Sequence, residues 1–330
     1  LRAKVLDTLR GLLPTSALTN LGVFGNGRFF EGLLRKLHVH NLVELQDVGK
    51  QAYTELDKVI PSFVRRASMS HKNQQSYSCF QESMQKEIKA ITEQHASLEV
   101  EVAKPGVTLV DCDENAPAKV AAALLFAHSN KTLHELQEYT SKLPEEELRQ
   151  ILDTASNARE NRRHKSPRAL EHAVFDFEIN ADFGAYRDLQ RHRLLTQERQ
   201  LLSCNYGYYI PPELENTDMG GEYRQAMKEA KKAYDIIASE FAEEAQYIVP
   251  MAYNIRWYFS VNLRALQWFC ELRSSAAGHP SYRFIAQEIA RQVCEKFPAF
   301  ETFFKFVDFE GHELGRLGQE ERKLEKMQQR

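Results

Sequence analysis

The chain has 330 residues, of which 43% are apolar and 27% charged, enough material to fill the cores of two domains. Lys and Arg number 43 against 46 Asp and Glu; the formal charge of −3 excludes a general pull toward nucleic acid or anionic membrane, so a local basic cluster implies a local anion. No apolar stretch reaches the roughly 18 residues of a membrane span, the start at Leu1 does not read as a signal peptide, and Cys79, Cys112, Cys204, Cys270 and Cys294 lack metal or disulfide spacing. A cytoplasmic protein is expected, without membrane, nucleic-acid or metal partners.

Leu1, Val5, Leu6, Leu9, Leu12 and Leu13 predict an amphipathic helix over residues 1–13, stopped by Pro14. Gly22, Gly25 and Gly27 cluster around Asn26 and Arg28, without the lysine of a phosphate-binding loop. Pro14, Asn26 and Arg28 recur at the same spacing as Pro250, Asn262 and Arg264, and the stretch around Pro61 and Phe63 has a counterpart around Pro298 and Phe300. Residues 1–65 are therefore expected to be the closing half of a first, diverged copy of the unit that follows. Leu37 stands in it where the second copy has Arg273. Residues 66–106 read as a polar linker that turns helical over about 80–97.

A short strand is predicted over 107–111, and Asn115 with Pro117 marks the start of a helix over 118–128. Thr132 and Glu135 form a capping box, and Pro144 precedes three glutamates suited to a first helical turn. Ala173, Phe175, Phe177 and Ile179 alternate with more polar residues as a half-buried strand. Asp182 then caps a short helix that closes on Arg191, His192 and Arg193, whose guanidinium forks suit phosphates or a uracil-like ring. An aromatic strand is expected over 204–212, a long charged helix over 221–246 and a charged tail over 310–330. In a helix over 252–274, Asn262, Leu266, Phe269 and Arg273 fall at steps of 4, 3 and 4, an apolar stripe with a polar group at each end that suits a flat aromatic ligand. Arg264 points about 200° away from Asn262 in such a helix and is assigned to another surface, which argues for sites completed across subunits.

His164-Lys-Ser166-Pro167 with Glu171-His172, then Arg191-His192-Arg193, Val249-Pro250, Asn262 with Arg264, and Leu272-Arg273 follow one another along the chain, and in this order they resemble the flavin-dependent thymidylate synthases. His164, Ser166, Pro167, Glu171 and His172 resemble that family's GHxS/TPxEH segment, and Arg191, His192 and Arg193 open a stretch similar to RHRxxSxNExSxRY. Val249-Pro250, Asn262 with Arg264, and Leu272-Arg273 follow in the places of its VLP, NxR and LR elements, so the resemblance covers about residues 107–305. It implies an α+β fold, with long helices packed on a small mainly antiparallel sheet, in a domain over 107–309. It further implies that His164, Ser166, His192, Arg193, Asn262 and Arg264 contact flavin adenine dinucleotide (FAD), while Arg191 and Arg273 contact deoxyuridylate (dUMP). Arg273 would be catalytic, polarising the uracil ring. The implied reaction is reductive methylation with methylenetetrahydrofolate and NADPH, in a homodimer or homotetramer with shared sites.

Several departures fall on nucleotide contacts, so the flavin half is better kept than the nucleotide half. Thr196, Glu198, Arg199, Leu201 and Ser203 replace motif residues, Asp188 stands where Gln is common, Gln246 stands where Arg is usual, and His164 and Glu171 are two residues further apart than in the ordinary segment. Such changes leave phosphate charge less compensated. The alternative is therefore a flavin- or nucleotide-binding structural or regulatory protein of the same fold that does not catalyse methylation.

Overall fold

The computed structural model describes residues 2–95, 104–312, 315 and 317–328. It divides into two compact units, one of Leu1–Thr15, Val102–Tyr234 and Ile248–Arg330, the other of Ser16–Glu101 and Asp235–Tyr247. Helix α1 (Arg2–Leu9) passes into a 3-10 turn at Arg10–Leu12, so the expected helix over 1–13 tightens in its last turn. Helix α2 (Gly27–His38) starts where the Asn26 side chain accepts from the Phe29 N–H at 2.9 Å. It packs with α3 (Val43–Asp57) and α4 (Pro61–Val64) around Leu34, Val64 and Ala67. Helix α5 (Lys72–His95) begins earlier than residue 80; because it buries little besides Gln74, it carries little apolar period to read. Stretch 96–103 of the expected linker, and residues 313, 314, 316, 329 and 330 of the expected tail, lie outside the described residues.

Strand β1 (Gly106–Cys112) leads to helices α6 (Ala116–Phe126), α7 (Leu133–Thr140) and α8 (Glu145–Asn157). The capping box at Thr132 and Glu135 is complete in both directions. Asn115 stands at the N-cap of α6 without a side-chain cap bond; the residue two on is Pro117, which has no N–H to offer it. Strand β2 (Val174–Asp182) ends at Asp182, whose carboxylate accepts the Ala185 N–H at 2.8 Å and so starts α9 (Phe183–Leu189). Strand β3 (Thr196–Arg199) follows, then helix α10 (Asp218–Ala238), which stops short of residue 246. The stretch 204–212 is not a strand: Gly207 turns it at φ 73°, a left-handed conformation open to glycine, and only a bridge from Tyr208 to Tyr253 is left of sheet pairing.

The expected single helix over 252–274 is instead strand β4 (Asn254–Asn262) followed by helix α11 (Leu263–Arg273). Ile255, Trp257, Phe259 and Val261 are buried at period 2, and aromatic and β-branched residues that alternate in this way favour a strand over a helix. Asn262 ends the strand and caps the helix, its side chain accepting the Ala265 N–H at 2.9 Å. Helices α12 (Pro280–Lys296) and α13 (Leu317–Gln328) complete the chain.

The sheet has the order β1-β2-β4-β3, antiparallel throughout, so the α+β class holds. Nine residue pairs join β2 to β4, from Val174↔Asn262 to Asp182↔Asn254. The Phe259 ring, fully buried, lies 5.7 Å from Phe177 and 5.7 Å from Phe269, which locks the sheet to α11. Replacing Phe259 by Ala is expected to lower the unfolding free energy by about 3–5 kcal/mol in urea titrations. Tyr258→Ala, on the half-exposed face of the same strand, should cost less than about 1 kcal/mol.

Candidate functional site

A cavity of about 810 Å³ opens beside α11, at the large end of what single organic ligands occupy. His164, Ser166, Arg191, His192, Arg193, Asn262, Arg264 and Arg273, all singled out in the sequence, line it together. Arg264 does not point away from Asn262. Asn262 caps the helix rather than riding on it, and the cavity face of α11 is the one that carries Arg264, Trp268 and Leu272, at steps of 4. Leu266 and Phe269, the expected ligand-facing stripe, are wholly buried in the core. With Arg264 and Asn262 in one cavity, the geometric ground for completing the site from another subunit falls away.

The wall opposite α11 is a loop that buries one charge. Arg159 binds Glu271 through two nearly parallel bonds of 2.8 and 2.9 Å, with the pair almost entirely removed from solvent. Burial raises the pKa of Glu271 against the pull of Arg159. Arg159 Nε also donates to the His164 carbonyl at 2.9 Å, Ser166 Oγ to Gln267 Oε1 at 2.6 Å, and Gln267 Nε2 to the Phe303 carbonyl at 2.6 Å. Arg264 Nε donates to the Ser166 carbonyl at 2.9 Å, and its Nη1 to Glu171 at 2.7 Å; that bond first, and Arg168 after it, hold the Glu171 pKa low. Ser166 is thereby buried and engaged on both its hydroxyl and its carbonyl, while the His164 ring meets Asn161 at 3.0 Å near the surface.

Arg191, His192 and Arg193 lie in the turn just after α9 rather than in its last turn. The Asp188 carboxylate stands 3.7 Å from Arg191 and 3.6 Å from Arg10. His192 packs edge-on against Phe269 at 4.8 Å and accepts from Arg273 Nε through its Nε2 at 2.8 Å. Its proton therefore sits on Nδ1. Burial, and next the Arg273 charge, lower the His192 pKa to about 4, so the ring is neutral at pH 7.

Eight Arg and Lys line the cavity against two Glu, and both carboxylates are already held, by Arg159 and by Arg264. Arg193 and Arg273 pair with no carboxylate among the described residues. The excess charge fits an anion such as a phosphate, and Trp268 and Leu194 add apolar surface against which a flat ring can lie. Arg159, Arg162, Arg163, Lys165, Gln267, Trp268 and Glu271 line the cavity without having been expected from the sequence. The crowding of Arg162, Arg163 and Lys165 around His164, in a chain of net charge −3, was the available signal.

The family model described as thymidylate synthase complementing protein matches residues 108–299. The chain belongs to this family. A UPF0159 protein of Chlamydia pneumoniae is 55% identical over 323 residues, covering 98% of this chain and 61% of the relative. A UPF0159 protein of Thermoplasma acidophilum is 33% identical over 327 residues, covering 98% and 63%. This chain thus spans about three fifths of the length of those relatives. A flavin-dependent thymidylate synthase of Clostridium tetani is 26% identical over 227 residues, covering 61% of this chain and 85% of the synthase. The family match contains the whole cavity wall from Arg159 to Arg273.

Two measurements probe this family site as the chain builds it. Arg159→Met strands Glu271 and is expected to cost about 3–5 kcal/mol in chemical denaturation at pH 7, less at acid pH where Glu271 takes up a proton. His192 has a folded pKa below its unfolded one, so its contribution to stability is present above about pH 6.5 and is lost as pH falls toward 4. The melting temperature of His192→Gln should therefore fall less than that of the wild type between pH 6.5 and 4.

Proposed function

We propose that the cavity binds flavin adenine dinucleotide beside deoxyuridylate and that the protein catalyses reductive methylation of dUMP to dTMP. The observation that carries this reading is the convergence, in one cavity, of eight residues that match the synthase motifs, with Arg193 and Arg273 left uncompensated. The donor set fits the flavin: His164, Ser166, His192, Arg193, Asn262 and Arg264 would hold it, and the cavity's size and excess of guanidinium groups suit a pyrophosphate. When bound and reduced, the flavin supplies hydride; methylenetetrahydrofolate supplies the carbon and NADPH recharges the flavin.

Arg273 would polarise the uracil ring, since its Nε is spent on neutral His192 while its terminal nitrogens have no carboxylate partner among the described residues. Arg191 would take the nucleotide phosphate, in competition with Asp188. That competition favours a second reading, a flavin- or nucleotide-binding protein of the same fold that does not catalyse methylation. Assembly as a homodimer or homotetramer, in the cytoplasm, belongs to the proposal through the resemblance to the synthases.

Titration with FAD should quench flavin fluorescence and raise the melting temperature; if neither moves, the flavin reading is lost. Tritium release from labelled dUMP, with reduced flavin and methylenetetrahydrofolate, separates the two readings. Arg273→Ala should lower turnover by about ten- to a hundredfold and leave FAD affinity nearly unchanged. Wild-type protein that binds FAD, releases no tritium and shows no flavin spectral change with dUMP would support the binder instead.

A further inference from the structure

The stretch from Ala17 to Gly25 belongs to no helix, turn or strand, runs into Asn26 in the β region at φ −83° and ψ 171°, and makes no backbone hydrogen bond to a described residue. It is nevertheless apolar: Leu18 is 102% exposed, Leu21 83% and Phe24 101%. An exposed apolar run whose N–H and C=O groups have no partner among the described residues is a template for strand pairing.

Its surroundings say what kind of strand it is. Pro14, Asn26 and Arg28 stand 236 residues before Pro250, Asn262 and Arg264. Asn26 accepts from the Phe29 N–H at 2.9 Å, as Asn262 accepts from the Ala265 N–H at 2.9 Å. The helices α2 and α3 and the short turns over 61–67 follow Asn26, as α11, α12 and the 3-10 helix Pro298–Phe304 follow Asn262. The backbones around Pro14 and Pro250 pair reciprocally. Thr15 donates to Val249 at 3.0 Å and Met251 to Leu13 at 2.9 Å; Ser16 donates to Tyr247 at 3.0 Å and Ala252 to Gly11 at 2.9 Å. A shift of 236 residues turns each bond of these two couples into the other, the signature of a self-complementary contact between like segments.

The counterpart of residues 18–26 is β4, which has β2 on one side and β3 on the other. Leu21 and Val23 fall at the positions of Trp257 and Phe259, which β4 buries. We propose that residues 18–26 are the centre strand of a second copy of this sheet, and that they dock the edge of strands equivalent to β2 and β3 carried by the longer polypeptide of which UPF0159 relatives have the length. A second copy of this chain is a poorer occupant, because its β2 already has both edges paired, by β1 and by β4.

Amide hydrogen exchange tests this. It is read over residues 18–25 in this chain at two concentrations, and over the matching segment in the full-length Chlamydia pneumoniae relative. Exchange should be fast in this chain at both concentrations and at least about a hundredfold slower in the relative. Proline at the relative's position matching Val23 should restore fast exchange there, since it removes a ladder donor. Fast exchange in both proteins would overturn the proposal. So would protection in this chain, whether it grows with concentration, as pairing with a second copy requires, or does not.

Discussion

Two charges taken out of water together, on Arg159 and Glu271, hold the cavity in shape. Neither is tolerable alone at that depth, so the pair forces the loop after α8 to lie against α11. Arg264, Gln267 and Glu271, at steps of 3 and 4 on the helix, each take hold of that loop: the first through the Ser166 carbonyl, the second through its hydroxyl, the third through Arg159. The loop also carries Arg162, Arg163 and Lys165, so fastening it down concentrates positive charge that no carboxylate among the described residues pairs with. An anion relieves that repulsion, which couples ligand binding to the fit of loop on helix.

That the eight residues singled out in the sequence meet in one cavity follows the motifs, which specify side chains in order along the chain, whatever elements carry them. His164, Ser166 and the Arg191 to Arg193 segment reach the cavity from loops and turns, where apolar periodicity says little, and Asn262 reaches it from a strand-to-helix corner. What periodicity misplaced was the corner itself. The run from Ile255 to Val261 reads as a helix when joined to the residues after Asn262, and as a strand when its aromatic and β-branched alternation is read alone. That single misassignment also misdirected Arg264, since an angle computed along a helix has no meaning across its cap. The Arg159–Glu271 pair was not legible, because its partners are far apart in sequence and neither belongs to a recognised segment.

Within the cavity, two guanidinium groups are set differently. Arg273 gives one donor to a histidine that burial keeps neutral, so its charge is positioned without being cancelled. Arg191 faces Asp188, which Arg10 also approaches, so its charge is partly answered before any ligand arrives. The charge of Arg273 is thus left available to a ligand, while that of Arg191 is already shared with a carboxylate. This asymmetry is the structural form of the motif departures around Asp188.

The β2–β4 ladder joins residues 72 to 88 positions apart in the chain. During synthesis at about 5–20 residues per second, β2 leaves the ribosome roughly 4–18 s before its partner. Through that interval β2 lacks the neighbour that pairs one of its edges and sets Phe259 beside Phe177, and when Ile255 to Val261 emerges it is itself an aromatic and β-branched segment open to mispairing. Closure between segments so far apart costs chain entropy before any contact rewards it, which places this ladder among the slower steps of folding and leaves β2 open to aggregation until β4 arrives.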